Sequence, residues 1–454
     1  MAMESINPAT GETLKQLETW NENQLNDTLQ QVADATPSWA ESSFADRAKP
    51  MKRLAEELRK NKQHYAELIT LEMGKPIAEA IAEVEKSALG CDYYADNAEA
   101  FLADETIKSD AGNSYVAHLP MGTVLAVMPW NFPLWQVYRF AAPGLMAGNT
   151  GVLKHASNVP QCALAIEESF RKAGFPDNVF RTLMIPASMV RSVIEDPRIH
   201  ATTLTGSEAA GRQVAGAAGA SLKKSVLELG GSDAFVVLDD ADLEQAAQWG
   251  VTSRYLNDGQ SCIAAKRFIV VEAIADDFLA LFKQKTGTLV VGDPMDEKTQ
   301  IGPMSRPDLR DALHKQVTDS VEQGAVVVRG CEVPAGEGSY YPPSIIDHVK
   351  PGMRAYEEEL FGPVAIFIRV KDEADALRVA NDSRFGLAGS VWTEDIQRGN
   401  AFARKMQSGA TFVNGMSKSD PRLPFGGIKA SGYGRELSHH GIMEFVNVKT
   451  IWIR

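Results

Sequence analysis

Cysteine is scarce in this chain, and basic charge is in deficit. Among 454 residues the cysteines are Cys91, Cys162, Cys262 and Cys331, and none sits in a C-x-x-C pair. That usage excludes a disulfide scaffold and points to a reducing, cytoplasmic setting. Lys and Arg number 46 against 59 Asp and Glu, which leaves a net charge of −13. Such a chain lacks the electrostatic footprint of a nucleic-acid binder and is repelled by anionic membranes. Long apolar runs are missing too. The longest charge-free stretch, between Asp110 and Arg139, contains Pro120, Pro129, Asn131 and Pro133, so it does not read as a membrane span. The N-terminal residues show no basic region followed by an apolar stretch, so no signal peptide is expected. The histidines are scattered apart from His439-His440, and no Cys/His cluster has metal-site spacing; no metal is expected. The fingerprints G-x-G-x-x-G, G-x-x-x-x-G-K-[ST], H-E-x-x-H and G-x-S-x-G are all absent.

What is present is ordinary globular usage, with 44% apolar and 23% charged residues. The length suits two large units or roughly three smaller ones. Residues 22–103 read mostly as helix, with Leu54, Leu58, Tyr65, Leu68 and Leu71 at helical spacing. Short strands are expected at 114–119 and 122–128. Strand and helix patterns then alternate at 151–154, 163–173, 179–184, 189–196, 201–205 and 208–217. A second alternation runs through 234–238, 243–247, 267–271 and 273–286, with buried strands at 365–368 and 411–414. This pace argues for an α/β protein with parallel, doubly wound sheets and a soft boundary near 228–232. The tail 445–453 alternates and reads as a strand that needs a partner edge, possibly on another subunit.

Several segments carry chemistry-bearing residues, each with an ordinary structural alternative. Cys262 follows Asn257-Asp258-Gly259-Gln260-Ser261, a small, polar loop that suits a nucleophile near a ligand; a buried structural thiol is the alternative. Glu228, in an apolar stretch ending in Gly230-Gly231, suits a base of raised pKa, or a strand residue paired with Arg. Asn131 lies between Pro129 and Pro133, where a rigid amide suits an oxyanion hole, or a turn capping the core. Gly206-Ser207 opens a helix whose N–H groups suit phosphate, although Ser is a common N-cap in any case. Lys154 ends a strand and suits a hydroxyl or phosphate, or is solvated surface. The glycine-dense stretch around Phe425-Gly426-Gly427 reads as a surface loop on composition alone.

Taken together and in this order, these segments resemble the aldehyde dehydrogenase superfamily over essentially the whole chain. Glu358-Glu359-Leu360-Phe361-Gly362-Pro363 and Pro424-Phe425-Gly426-Gly427 complete the resemblance. It implies that Cys262 attacks an aldehyde, that Asn131 and the Cys262 N–H hold the oxyanion, and that Glu228 activates water to release a free acid. It implies cofactor contacts at Trp130, Lys154, Ser157, Gly206, Ser207, Glu359 and Phe361. NAD is expected, with NADP tolerated, because relatives that prefer NAD often carry a glutamate where Ser157 stands. Arg139, eight residues after Asn131, resembles the carboxylate-binding arginine of succinate-semialdehyde dehydrogenases; a surface arginine is the alternative. A second arginine of such enzymes is Leu256 here, and the lysine after the first is Phe140; Ser417, Lys418, Ser419 and Arg422 are candidate replacements, and Trp135 and Tyr138 an aromatic wall.

The expected reaction is therefore oxidation of a small, carboxylate-bearing aldehyde, succinate semialdehyde first. Another small aliphatic or aromatic aldehyde, a CoA-acylating enzyme and a silent relative are the alternatives. The implied fold has a cofactor-binding domain at 1–103 and 120–228 and a catalytic domain at 229–435. A β-hairpin oligomerisation arm, 104–119 with 436–454, would build a dimer or tetramer.

Overall fold

The computed structural model describes residues 2–454. Its N-terminal part is helical, but asparagine and glycine cut the helical region into separate rods. Glu22–Glu41, Phe44–Lys60, Lys62–Met73 and Ile77–Phe101 are distinct helices. Asn61 ends one and opens the next, and Gly74 closes the third in the left-handed conformation (φ 87°). Leu54, Leu58 and Tyr65 are buried as their spacing predicts, whereas Leu68 and Leu71 are only half-buried.

Two sheets organise the rest. The first has six strands, in the order Gly432–Tyr433, Lys224–Glu228, Ala201–Thr205, Thr123–Met128, Thr150–His155, Phe180–Thr182. All neighbours are parallel except the short Gly432–Tyr433 edge, which pairs antiparallel with Leu227 and Glu228. The second has seven strands, in the order Val326–Arg329, Ser344–Asp347, Val364–Val370, Ala265–Val271, Asp233–Val237, Ala388–Trp392, Ala410–Val413. Only Val326–Arg329 runs antiparallel there. Strands such as Ala201–Thr205 and Ala265–Val271 are buried along their whole length. That is why they read as unbroken apolar runs rather than alternating ones: parallel sheets are covered on both faces.

The first sheet's last long strand ends at Glu228, and the second sheet's first strand in chain order begins at Asp233. Gly432–Tyr433 nevertheless returns to the first sheet, so a division at residue 435 cuts across a strand pair. The tail strand Val446–Ile453 pairs antiparallel along Asn113–Pro120, and Glu105–Thr106 adds a third strand. Its apolar side chains Val448, Trp452 and Ile453 remain exposed. Among the described residues, no helix is long and apolar enough to cross a membrane.

One carboxylate fixes the helix that matters most to the site. Trp135–Met146 has no side-chain cap of its own. Instead Glu83 Oε1, from Ile77–Phe101, accepts from the N–H groups of Leu134 (2.9 Å) and Trp135 (3.0 Å), while Oε2 pairs with buried Lys75. An anion at a helix N-terminus is favourable, and here it also neutralises a buried cation. Glu83→Ala strands Lys75 in the core. It is expected to destabilise the protein by roughly 3–5 kcal/mol, read as an earlier first transition in a guanidinium titration.

Candidate active site

The backbone before Cys262 takes an uncommon path. Asn257 (φ 56°, ψ 40°), Asp258 (φ 56°, ψ 27°) and Gly259 (φ 71°) are successive left-handed residues. Only glycine adopts that region freely, and each of the other two costs about 1–2 kcal/mol. Buried hydrogen bonds hold the turn. Asn257 N–H donates to Glu79 Oε2 (2.7 Å), and its Nδ2 donates to the carbonyls of Asn131 (2.8 Å) and Gln260 (2.9 Å). Asp258 Oδ1 accepts from Gly302 N–H (2.6 Å), and Arg254 donates to the Gly259 carbonyl (2.6 Å). A Cβ at Gly259 would lie 2.4 Å from the Gly362 carbonyl oxygen, so only glycine fits.

The loop delivers Cys262, half-buried, to the wall shared by two cavities. Burial pushes its thiol up to about 12, although Lys266 and Arg139 pull it down. Burial thus favours the thiol form of the resting sulfur. Asn131 stands beside the loop, its Nδ2 donating to the Gln260 carbonyl (3.0 Å) and its Oδ1 accepting from Gln136 (3.2 Å). Those two bonds orient the amide and leave its second N–H for a developing oxyanion.

The larger cavity, about 270 Å³, lies beyond the C-terminal ends of Thr123–Met128, Ala201–Thr205 and Lys224–Glu228. Open α/β sheets bind their ligands there. Trp130, Asn131, Gly206, Ser207, Glu228, Glu359 and Phe361 all line it. Trp130 and Phe361 meet edge-to-face at 5.8 Å. Glu359 Oε1 accepts from Gly231 N–H and from Lys266 Nζ, both at 3.1 Å. Ser207 caps Glu208–Ala220 by accepting from Ala210 N–H (3.3 Å).

Glu228 is buried, and neither carboxylate oxygen has a hydrogen-bond partner among the described residues. Burial first, and then Glu436, holds it well above the usual carboxylate range, against Arg139 and Arg435. Gly426 (φ 152°) makes room for it, since a Cβ there would approach Glu228 Oε1 to 2.7 Å. Lys154 ends its strand only 7% exposed and forms no ion pair among the described residues, so it is not solvated surface. A buried ammonium without a counter-charge favours a hydroxyl or phosphate ligand. Ser157 is exposed just past that strand. These features fit a dinucleotide, which Glu359, Phe361 and Lys154 would hold and which would supply hydride acceptance when bound.

The smaller cavity, about 150 Å³, is lined by Cys262, Trp135, Arg139, Ser419, Lys86 and Phe425 among others. Leu256, Ser417 and Lys418 line it as well, whereas Tyr138 packs into the core and bonds Ser169. Arg139 is 4% exposed, not a surface arginine. Its guanidinium pairs with Glu436, donates to Thr205 Oγ1 (3.3 Å) and lies 4.5 Å over the Phe425 ring. Its charge is thus paired within the fold while it still lines the cavity beside Cys262, where a carboxylate contact is expected from sequence. Arg422 is likewise taken, by Asp420 (2.7 Å).

The aldehyde dehydrogenase family model matches residues 1–451. The chain belongs to the aldehyde dehydrogenase family. It is 49% identical over 453 residues to a probable NADP(+) succinate-semialdehyde dehydrogenase of Synechocystis sp., each covered over 100% of its length. It is 48% identical over 457 residues to an NADP(+) succinate-semialdehyde dehydrogenase of Mycobacterium ulcerans, again over 100% of both chains. The succinic semialdehyde dehydrogenase of Streptococcus pyogenes, solved with NADP+, superposes with a TM-score of 0.98 at 39% identity over 100% of both.

Sequence reasoning missed four contributors to this aldehyde dehydrogenase's site: Glu83, Lys86, Gln136 and Lys266. Glu83 and Lys86 look like the solvated face of a helix, because Glu79, Glu83, Glu85 and Lys86 crowd residues 79–86. Lys266 donates to the carbonyls of Ser261 (2.9 Å) and Cys262 (2.7 Å), steadying the loop from the next strand. The high-lying thiol sets an expectation for reactivity. Below a pKa of about 12 the thiolate fraction grows about tenfold per pH unit. Iodoacetamide labelling of Cys262 in the free enzyme should therefore keep accelerating from pH 7 to 10. A plateau near pH 8 would contradict the buried, protonated resting state.

Proposed function

We propose that this aldehyde dehydrogenase oxidises succinate semialdehyde to succinate with NADP as the hydride acceptor. The observation that carries this reading is the position of Cys262, on the wall between a dinucleotide-shaped cavity and a small cavity with cationic residues. Cys262 sulfur bonds the carbonyl carbon as its proton passes to solvent water, and the carbonyl C=O electron pair moves onto oxygen. Asn131 Nδ2 and the Cys262 N–H donate to the resulting oxyanion; each such donor is typically worth ~3 kcal/mol. The bound cofactor supplies the chemistry of accepting a hydride from that carbon. Collapse of the oxyanion leaves a thioester on Cys262. Glu228, in its ionised form, then takes a proton from the water that attacks the thioester carbon; the C–S bond breaks, and Cys262 leaves as thiolate from the free acid. A raised pKa makes Glu228 a stronger proton acceptor once it is ionised.

The relatives named for NADP(+) support the cofactor choice and revise the NAD expected from sequence. The physical reason is consistent with that: Ser157 places no carboxylate where a 2′-phosphate would be repelled. Trp135 and Ser419 on the small cavity support an anionic substrate, as do the relatives' names. The exposed Val448, Trp452 and Ile453 on the tail strand support assembly of like chains through the 104–119 and 436–454 arm.

Reduced-nicotinamide absorbance tests the reading directly, with succinate semialdehyde and butanal each offered NADP and NAD. The semialdehyde with NADP should give the highest kcat/KM by at least roughly tenfold, the worth of one charge-assisted hydrogen bond. Equal values for the two aldehydes would remove the substrate assignment. Glu228→Gln should still release one equivalent of reduced cofactor per site in a rapid burst. Its steady turnover should then fall about 100-fold or more, the usual contribution of a general base. Loss of the burst together with turnover would place Glu228 before the hydride step instead.

A further inference from the structure

We propose that Lys266 is a positioning residue of the oxyanion hole: it holds and polarises the peptide unit whose N–H, that of Cys262, meets the developing negative charge. This rests on the reading above in which Cys262 attacks an aldehyde. Lys266 is the second residue of Ala265–Val271 and is buried. An ammonium has three N–H donors, and all three have partners. Nζ donates to the Ser261 carbonyl (2.9 Å), to the Cys262 carbonyl (2.7 Å) and to Glu359 Oε1 (3.1 Å).

The Ser261 carbonyl and the Cys262 N–H are the two ends of one peptide unit. That unit is planar and trans, so its C=O and N–H point to opposite sides. Fixing the carbonyl therefore fixes the direction of the N–H. Two donors fix it, Lys266 Nζ and the Ala264 N–H (3.2 Å), which together engage both lone pairs of the oxygen. At the other end, the Cys262 N–H makes no hydrogen bond among the described residues and stays free to donate. The next carbonyl, that of Cys262 itself, is held by the same ammonium. One cation thus clamps both peptide units that flank the nucleophile, and the aim of the sulfur is tied to the aim of the N–H.

A positive charge on that carbonyl does more than a neutral donor would. Linked hydrogen bonds polarise one another where the local dielectric is low. Drawing electron density toward the Ser261 oxygen makes the Cys262 N–H a stronger donor. The gain grows as charge builds on the substrate oxygen, so it favours the transition state over the ground state. The third donor reaches Glu359, which lines the dinucleotide-shaped cavity and also accepts from the Gly231 N–H (3.1 Å). Lys266 therefore joins the backbone of the nucleophile to the carboxylate on the cofactor side. Its charge has a second effect, drawing the Cys262 thiol down against burial. Alkylation of the sulfur measures that effect by itself, because it consumes the thiolate without placing charge on a carbonyl oxygen.

The test compares Lys266→Met, Lys266→Gln, Lys266→Arg and Asn131→Ala with the wild type. Two rates are measured for each: iodoacetamide alkylation of Cys262, and the burst of reduced cofactor at saturating NADP with succinate semialdehyde or butanal. Lys266→Met should slow the burst about 10- to 100-fold more than it slows alkylation, part of the roughly 100- to 1,000-fold that a whole oxyanion donor is worth. The excess should be the same for both aldehydes, because the oxyanion is common to them. Lys266→Arg, which keeps the charge and its donors, should recover most of the excess. Lys266→Gln keeps a neutral donor, so it should show a smaller excess, and it decides the matter if the methionine variant does not fold. Equal losses of burst and alkylation in the Met and Gln variants, with an excess in Asn131→Ala, overturn the inference and leave the proposed function standing. No excess in Asn131→Ala either overturns the oxyanion reading on which both rest.

Discussion

Everything in this site depends on a short piece of backbone wound the wrong way. Asn257 and Asp258 occupy left-handed conformations that asparagine and aspartate tolerate better than most residues, and Gly259 completes the bend. The turn is over-determined by its partners. Glu79 comes from the helical N-terminal region, Asn131 from the loop after the first sheet's Thr123–Met128 strand, and Gly302, Ser305 and Gly362 from the second unit. Strain of a few kcal/mol persists only where the surroundings hold it. Here the same contacts that hold it also bring the nucleophile of one unit to the amide of the other. The loop cannot relax without releasing Asn131, which accepts at its carbonyl from Asn257 and donates from its side chain to Gln260.

The fold was largely legible because parallel sheets write themselves as apolar runs separated by helices. The residues 201–205 are a strand in both readings, and Glu228 and Asp233 bracket the change of sheet. The strands at Ser344–Asp347 and Ala388–Trp392 escaped notice because they are short and flanked by polar loops. The return of Gly432–Tyr433 to the first sheet has no local signal, since two residues of a glycine-rich loop become a strand only when Leu227 and Glu228 lie alongside. The site was legible in proportion to how local its chemistry is. Cys262, Glu228 and Asn131 sit in segments whose glycines and prolines announce an unusual backbone. Lys86 sits in a helix that reads as solvated, and only the fold shows Trp135 and Ser419 lying against it.

Arg139 illustrates a rule about buried charge. A cation at 4% exposure must be compensated, and the fold supplies Glu436 before any substrate arrives. Removing either partner leaves the other uncompensated beside Glu228. Arg139 also acts through its charge, because its pull on Glu228 and Cys262 opposes the effect of burial on both.

The acid–base states of the three central groups follow from the same economy of charge. An ionised Glu228 would add a negative charge to the wall that an anionic aldehyde must pass, and would raise the Cys262 thiol further. Burial pushes both Glu228 and Cys262 toward their neutral forms. The two protons must then leave in turn, the first when sulfur attacks and the second when water is needed. Cys262 lies on the wall shared by the cavity that holds Lys86, Arg139 and Ser419 and the cavity that holds Glu228, Glu359 and Phe361, so the sulfur faces both.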